Sequence, residues 1–336
     1  MKQYIEPITN RQDLTRAETA EVFKKLVAGE MDPVEIAALL IALRTKGESS
    51  VEIAGAAEAL RACAAPFERP SYSFVDSCGT GGDGAHTINV STAAALVTAG
   101  MGIPVAKHGN RSISSKCGSA DVFEQLGVKI DATAAVSRKC LDEVGICFLF
   151  APLYHSGLRH AGPVRQKLAM RTMMNLLGPL VSPAAPTHQV MGVYDSSLVK
   201  TLAEVFQSLG TEGALVVHGS GLDEIAVHGK TTCAMLKNGR VETFDISPED
   251  AGLETYSLEE IRGGTPDENT QIVRNILAGN GHPAHNAAVA INAGALAWVF
   301  GKAADLKEGT AMAMEVIRSG ACVARAEKFK ELSNGA

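Results

Sequence analysis

Residues 76–127, DSCGTGGDGAHTINVSTAAALVTAGMGIPVAKHGNRSISSKCGSADVFEQLG, alternate the signals of strand, loop and helix, which indicates an α/β fold. A short apolar strand pattern over 74–78 is followed by the glycine-rich run 79–84, GTGGDG. Glycine tolerates positive φ and lets backbone N–H groups approach an anion closely. Residues 89–92, NVST, then open an apolar helix pattern. A helix start beside such a loop offers unpaired N–H groups and the positive end of the helix dipole, so the arrangement predicts a phosphate site.

The glycine run by itself does not identify a ligand. It lacks the Gly-Lys-Ser/Thr ending of a P-loop, and its spacing differs from the G-x-G-x-x-G of dinucleotide-binding folds. Taken alone, the run is equally compatible with a tight connection between a strand and a helix.

The second half of the stretch favours the phosphate site. A strand pattern over 103–106 is followed by the basic, hydroxyl-rich residues 107–115, KHGNRSISS, and by a helix start at 118–121, GSAD. A parallel sheet holds a multiply phosphorylated ligand at the carboxyl ends of its strands, and it uses one polar loop after each of two strands to do so. We therefore expect both loops to contact one ligand.

The N-terminal residues 1–65 predict a small all-helical domain. Thr15 with Glu18, and Ser49 with Glu52, have the spacing of a capping box. These signals, with glycines as stop signals, predict three helices over 15–28, 33–46 and 50–63. Residues 34–43 within the second helix are apolar on most faces, which requires burial on more than one side. Burial against the larger domain of the same chain and burial against a second subunit are both compatible with this pattern.

Residues 74–336 predict a larger α/β domain with a mainly parallel central sheet, after a linker over 66–73. A helical segment near 165–185 is expected to pack on the first domain. Residues 231–246 have a short polar pattern that favours a hairpin or edge strands. The strand candidates after the first are 103–106, 146–150, 188–194 and 214–218.

The composition is that of a globular protein without a nucleic-acid-binding character. The chain has 336 residues, 46% of them apolar, and a net charge of −6, whereas a general nucleic-acid binder is expected to be basic. The apolar stretch 287–300 is shorter than the roughly 20 residues of a membrane span, and we interpret it as a core helix. The N-terminus lacks the apolar core of a signal peptide, and the seven cysteines form no C-x-x-C pair. We expect a cytoplasmic protein without nucleic-acid or membrane partners.

Four motifs, GTGGDG, NVST, KHGNRSISS and GSAD, in this order and close spacing, resemble the anthranilate phosphoribosyltransferase family. The likeness continues through YHSGLRHAGPVRQKLAMRTMMNLLGPL at 154–180 and GLDEIAVHG at 221–229. The resemblance implies transfer of a 5-phosphoribosyl group from phosphoribosyl pyrophosphate (PRPP) to the amino group of anthranilate, with release of pyrophosphate, in L-tryptophan biosynthesis. It also implies a magnesium requirement and a homodimer formed through the helical domain.

The resemblance assigns a donor-binding set to the glycine run, the following helix start and the basic loop. The hydroxyls between 112 and 119 are also compatible with simple helix capping and turn formation. The implied PRPP-binding residues are Gly79, Gly81, Gly82, Asp83, Thr87, Asn89, Val90, Ser91, Thr92, Lys107, Asn110, Arg111, Ser112, Ser115 and Ser119.

The acceptor side carries an arginine suited to a carboxylate. Arg165 has the fork geometry that pairs with the anthranilate carboxylate, and the resemblance places it there. The other implied anthranilate contacts are Gly79, His108, Asn110 and His155.

Two positions near the site depart from the pattern of the family. His155-Ser156-Gly157 stands where the family usually has His-Pro-Ala, and Ile88 replaces a phenylalanine in the donor loop. Loss of the proline is expected to loosen the loop that shapes the aromatic pocket.

The adjacent carboxylates Asp223 and Glu224 follow the strand candidate 214–218 and are candidates for binding Mg²⁺. Magnesium prefers oxygen ligands and commonly bridges a carboxylate to substrate phosphates. Adjacent acids also occur on solvated loops, so spacing alone does not settle their role. The resemblance implies that the pair holds up to two ions, and that Ser91 completes the ligand shell of the second.

No residue is assigned as a general base, because an aromatic amine has a free lone pair and is not protonated near neutral pH. Positioning and electrostatic stabilisation can supply most of the acceleration of such a transfer. Two other functions remain open at this stage, namely a pyrimidine-nucleoside phosphorylase-like enzyme and a non-catalytic homologue that binds nucleic acid. The intact glycine run and the acidic charge balance speak against both.

Overall fold

The protein consists of a small helical domain followed by a larger α/β domain built on one seven-stranded sheet. A computed structural model describes residues 1–111 and 117–335. Of the predicted site residues, Ser112 and Ser115 lie outside these ranges.

The helical domain has four helices, one more than the sequence predicts. The three expected helices are confirmed, and the missed one is the first, in which Pro7 lies inside the helix and the N-cap Met1 makes no side-chain hydrogen bond. Burial of Tyr4 and Ile8 explains why this segment is helical despite weak local signals. The helices are α1 (Lys2–Thr9), α2 (Arg16–Ala28), α3 (Pro33–Lys46) and α4 (Ser50–Ala62).

Both predicted capping boxes are present, and Glu52 also joins three segments of the helical domain. Its fully buried carboxylate lies 2.8 Å from Lys46 Nζ and accepts hydrogen bonds from the backbone N–H groups of Leu14 (3.0 Å) and Ser49 (2.9 Å). The carboxylate therefore connects the entry to α2, the end of α3 and the start of α4. A buried charge is tolerated when it is paired and hydrogen-bonded in this way.

The central sheet has the strand order β3-β2-β1-β4-β5-β6-β7. The first five strands in this order are parallel, and β6 and β7 form an antiparallel hairpin at one edge. The α/β fold class with a mainly parallel sheet and the polar hairpin are thus confirmed. The strands are β1 (Val75–Ser77), β2 (Val105–Gly109), β3 (Ile146–Phe150), β4 (His188–Gly192), β5 (Gly213–Gly219), β6 (Thr231–Lys237) and β7 (Arg240–Ile246).

Eleven further α-helices are described in the α/β domain. The apolar stretch 287–300 lies in the longest of them, as expected for a core helix, and its Gly294 packs directly on Gly309 of the next helix. Within the described ranges, no helix is both long and apolar enough to cross a membrane. The helices are α5 (Val90–Gly100), α6 (Ser119–Gln125), α7 (Ala134–Val144), α8 (Ala151–Tyr154), α9 (Gly162–Leu168), α10 (Met174–Leu180), α11 (Val199–Ser208), α12 (Pro266–Leu277), α13 (Pro283–Phe300), α14 (Leu306–Ser319) and α15 (Cys322–Ser333).

The helical domain shares one hydrophobic core with α9, α10, α11 and one face of the sheet. Leu39 and Leu40 of α3 are fully buried in this core, together with Val164 of α9 and Leu177 of α10. The chain itself therefore buries these two leucines, without a second subunit. The opposite face of the sheet is covered by a separate core that includes α5 and α13.

Candidate active site

Several of the predicted site residues lie along the edge of the sheet where the parallel strands β1, β2, β4 and β5 end. His155 and Arg165 lie instead in the segment that follows β3. The glycine run follows β1, and the Asp223–Glu224 pair follows β5. Strand β2 extends to Gly109, beyond the predicted end at 106, so Lys107 and His108 lie in the strand itself and Asn110 and Arg111 follow it. Because these strands are neighbours and run in one direction, their carboxyl ends lie along one edge of the sheet. The topology therefore brings together loops that are separated by more than a hundred residues in the chain.

Asp223 lies directly against the glycine run. The Gly81 backbone N–H donates a hydrogen bond to Asp223 Oδ2 at 2.6 Å. A Cβ at Gly79 would collide with the Asp223 carboxylate, and a Cβ at Gly192 would collide with the Asp223 backbone carbonyl. Only glycine allows this close approach, which explains two of the glycines at the site.

Lys107 brings a buried positive charge to the start of α5. Its Nζ donates to the Ser77 carbonyl at 2.5 Å and lies 3.3 Å from Ser91 Oγ, and the residue is only 1% exposed. The amine therefore connects the end of β1 with the helix start that is predicted to bind phosphate. Two predicted donor-binding residues, Lys107 and Ser91, are thus in contact.

The carboxylate pair lies in an environment that disfavours negative charge. Burial and the neighbouring Asp83 carboxylate raise the pKa of Asp223 to about 7. Burial and Asp223 raise the pKa of Glu224 well above its ordinary value, although Lys107 opposes this shift. A bound cation would favour the charged form of both carboxylates.

The oxygen groups at this place fit a magnesium ion that also binds substrate phosphate. Asp223 and Glu224 offer carboxylate oxygens, and Ser91 offers a hydroxyl oxygen, which are the hard ligands that Mg²⁺ prefers. Among the described residues, no group of three or more histidine, cysteine or acidic side chains is placed to hold a metal ion. Two carboxylates and a hydroxyl leave coordination positions for phosphate oxygens and water.

The start of α5 and the residues just before it contact two other segments of the chain, one before α6 and one before α12. Thr92 Oγ1 donates to Asn89 Oδ1 at 2.5 Å, and Asn89 Nδ2 donates to the Cys117 carbonyl at 3.2 Å. Val90 is buried, and Thr87 pairs with Arg262 in an isolated β-bridge. These contacts fix the backbone on the far side of the glycine run.

Asn110 and Arg111, which follow β2, both contact α6. Ser119 Oγ donates to the Asn110 carbonyl at 3.3 Å. The Arg111 guanidinium forms ion pairs with Asp121 (2.9 Å) and Glu124 (2.8 Å) on α6. The structure therefore places the Arg111 charge beside α6, whereas the sequence predicts a contact with the donor.

Two buried histidines lie together on the acceptor side. The rings of His108 and His155 meet edge to face with centroids 5.4 Å apart, and His155 Nε2 lies 2.8 Å from the Val181 carbonyl. Burial lowers the pKa of His108 to about 3 and also lowers the pKa of His155. Both rings are therefore neutral at physiological pH, and a neutral imidazole can donate or accept a hydrogen bond.

Arg165 lies on α9 and is half-buried, and burial lowers the pKa of its guanidinium below the ordinary value.

The segment before α9, where the family usually has a proline, packs on the helical domain. Residues Ser156–His160 form a 3₁₀ turn, and Gly157 packs on Val27 of α2, where a Cβ would lie 2.5 Å from the Val27 carbonyl oxygen. Packing on the helical domain therefore holds the segment that loss of the proline is expected to loosen. The alanine usual in the family would require this contact to shift.

Three features of the site are missed by the sequence. Arg171 donates a hydrogen bond to the Gly82 carbonyl and lies over the ring of Tyr194. The Ile88 N–H donates to the carbonyl of Ile261 at 3.0 Å, so the donor loop is also held by the segment before α12. The third is the buried Asp76 carboxylate, which accepts a hydrogen bond from the His108 backbone N–H. Each contact joins residues far apart in the chain, so no local sequence signal identifies it.

Asp76 is a fully buried carboxylate beside His108, which the sequence predicts to contact anthranilate. Its Oδ1 accepts the His108 backbone N–H at 3.2 Å. Burial raises the pKa of Asp76 to about 7, and the Lys107 charge opposes this shift. The side chain therefore supports the backbone of β2 at His108.

The sequence matches two family models that together cover most of the chain. Residues 71–323 match the α/β domain of a glycosyl transferase family, and residues 2–64 match the helical bundle domain of a glycosyl transferase family. Two matching models agree with the two-domain architecture described above.

Individual relatives match along nearly the whole length. The chain is 54% identical over 333 residues to the anthranilate phosphoribosyltransferase of Sorangium cellulosum, covering 99% of this chain and 96% of the relative. Among solved structures, the anthranilate phosphoribosyltransferase of Thermus thermophilus superposes with a TM-score of 0.94 at 40% identity, covering 99% of both chains.

A more distant structure carries ligands. The Saccharomyces cerevisiae anthranilate phosphoribosyltransferase in complex with PRPP and Mg superposes with a TM-score of 0.89 at 27% identity, covering 99% of this chain and 98% of that one. The same yeast enzyme has been solved with 4-fluoroanthranilate. Because one relative is 54% identical over the full length and both domains match the family models, the chain belongs to the anthranilate phosphoribosyltransferase family.

Proposed function

We propose that this protein transfers the 5-phosphoribosyl group of PRPP to the amino group of anthranilate in L-tryptophan biosynthesis, giving N-(5-phosphoribosyl)anthranilate and pyrophosphate. The observation that carries the proposal is the hydrogen bond from Gly81 N–H to Asp223 Oδ2, which joins the glycine run to the Asp223–Glu224 carboxylate pair. Relatives with this activity match the entire chain, and the yeast relative is known with PRPP and Mg.

The donor is held by backbone groups and one buried lysine. The N–H groups of the glycine run and of the start of α5 favour an anion, since both carry unpaired donors and positive partial charge. Lys107 adds a full positive charge at the same place. Gly79, Gly81, Gly82, Asp83, Asn89, Ser91 and Thr92 then surround the pyrophosphate and ribose of PRPP.

Magnesium is held by Asp223 and Glu224, with Ser91 as a further ligand and up to two ions bound. Bound magnesium would neutralise charge on the departing pyrophosphate, which lowers the barrier to bond breaking. Burial is the main cause of the raised pKa values of both carboxylates, and the Lys107 charge opposes the shift of Glu224 only in part. Their ionised forms are then favoured when the donor and its cation arrive together.

Anthranilate binds with its carboxylate on Arg165 and its ring beside His108 and His155. A guanidinium forms charge-assisted, bidentate hydrogen bonds to a carboxylate, which fixes the direction of the amino group. Gly79 and Asn110 lie at the ends of β1 and β2, between this subsite and the donor. The neutral histidines can hydrogen-bond the acceptor without adding a competing charge.

In the reaction, the bond between ribose C1 and the pyrophosphate oxygen breaks, and the anthranilate nitrogen forms a bond to C1. The nitrogen loses one proton, and pyrophosphate carries away the bonding electron pair. The chain contributes by holding the two substrates in line and by stabilising the leaving anion. No side chain is assigned as a general base, because the aromatic amine attacks through a free lone pair.

We further propose a cytoplasmic homodimer that forms through the helical domain. The buried Leu39 and Leu40 are part of the core of the chain itself and are therefore unsuited to test this contact. The candidate surface includes Val34 at the start of α3, which is 77% exposed, and Met170 after α9, which is 50% exposed. Helices α3 and α9, which precede or carry these positions, pack together.

Anthranilate fluorescence provides the direct test of the activity. We expect the fluorescence to fall only when PRPP and Mg²⁺ are both present, because the donor binds as a magnesium complex. Chelation by EDTA should stop turnover, and excess Mg²⁺ should restore it. Turnover without PRPP, or no turnover by folded protein under any condition, would contradict the proposed function.

The division of the site into subsites is tested by two variants. Arg165→Ala is expected to raise the Michaelis constant for anthranilate about ten- to a hundredfold, since a hydrogen bond between charged groups contributes about 1.5–3 kcal/mol. Asp223→Asn combined with Glu224→Gln should instead weaken the use of PRPP and change the magnesium dependence, because two carboxylate ligands lose their charge.

Lys167→Ala removes an exposed cation on the same helix as Arg165 and is the matched control. It should leave both Michaelis constants unchanged. The assignment is wrong if Arg165→Ala impairs only the use of PRPP. It is equally wrong if the double carboxylate variant keeps the magnesium dependence of the parent.

The dimer is tested by charging an exposed position. Val34→Glu should shift the mass measured by light scattering from dimer towards monomer, because the interface would have to bury an unpaired charge. Val323→Glu, at an exposed valine on α15, is the control and should keep the parent mass. A monomeric parent, or an unchanged dimer in Val34→Glu, would rule out this interface.

A further inference from the structure

Arg171 lies between α9 and α10, and its side chain contacts the glycine run. Its Cζ is 4.0 Å from the centroid of the Tyr194 ring, which is a cation–π contact. The same guanidinium donates a hydrogen bond to the Gly82 carbonyl. Arg171 therefore links the segment that carries Arg165 to the loop proposed to bind the pyrophosphate.

Tyr194 holds the same loop from its other side. The Tyr194 backbone N–H donates to Thr80 Oγ1 at 3.2 Å, and the Thr80 N–H donates to the Gly192 carbonyl at 2.9 Å. Residues 80–82 are thus fixed at one end by the chain after β4 and at the other by the Arg171 guanidinium. The stacking of Arg171 on Tyr194 joins these two supports.

The glycine run needs such support because its own residues restrict it little. Gly81 and Gly82 have positive φ, 69° and 81°, and glycine loses more conformational freedom on folding than other residues. A peptide unit is planar and trans, so a carbonyl and the N–H of the next residue point in opposite directions. When Arg171 holds the Gly82 carbonyl, the Asp83 N–H is directed to the opposite side of the loop.

We propose that Arg171 is a positioning residue for the donor: by holding the Gly82 carbonyl and stacking on Tyr194, it preorganises the glycine run for the pyrophosphate of PRPP. This inference rests on the proposed function. Its consequence is specific to the donor, because Arg171 contacts the glycine run while the acceptor carboxylate is assigned to Arg165.

Steady-state kinetics with both substrates varied tests the role. Arg171→Met should raise the Michaelis constant for PRPP about tenfold, since a hydrogen bond and a cation–π contact are both lost, and should leave that for anthranilate nearly unchanged. Arg171→Lys should recover part of the loss, because a lysine can still donate to the carbonyl and stack on the ring. Tyr194→Leu should show a smaller rise of the same kind.

Arg240→Met removes an exposed arginine at the start of β7 and serves as the control, with both Michaelis constants expected to match the parent. Inactive parent protein would refute the proposed function itself. With an active parent, the inference is overturned if Arg171→Met leaves the Michaelis constant for PRPP within about twofold, or raises both constants equally. If Arg171→Met does not fold, the same ratio measured for Tyr194→Leu and Arg171→Lys decides the question.

Discussion

The contact between the Gly81 backbone and the Asp223 carboxylate is the constraint on which the site depends. The glycine run follows β1 and Asp223 follows β5, and β4 lies between these two strands in the sheet. The two loops can meet only because Gly79 and Gly192 have no side chain where Asp223 passes. In consequence, groups suited to phosphate lie beside groups suited to its counter-ion.

Burial shifts the pKa values of the ionisable groups around this contact. It raises the pKa values of Asp223 and Glu224 and lowers those of His108 and His155, so it opposes charge of either sign. Charge is then stabilised only by specific partners, and these interactions are stronger in a medium of low dielectric constant than in water. A magnesium-bound diphosphate donor and an anionic acceptor supply such partners, which agrees with the family to which the chain belongs.

Local signals in the sequence were sufficient for most elements but not for their arrangement. Capping boxes at Thr15 and Ser49 indicate two helices, apolar runs indicate β1 to β5, and a polar pattern indicates the hairpin of β6 and β7. The sequence does not predict the strand order, because pairing such as that of β1 with β4 joins segments that are distant in the chain. Helix α1 was missed because packing of Tyr4 outweighs its poor local signals. Sequence motifs predict most of the site residues. The contact of Arg171 with Gly82 and the pairing of Arg111 with α6 become visible only in the folded chain.

The most direct test of the account is a crystal structure of the protein with PRPP and Mn²⁺, with the manganese located by its anomalous scattering. We predict a manganese position within ligand distance of Asp223 or Glu224 and of the pyrophosphate, with the pyrophosphate on the N–H groups of the glycine run. Manganese bound elsewhere, or a pyrophosphate that does not contact residues 79–84, would contradict the central claim that the loop and the carboxylate pair form one donor site.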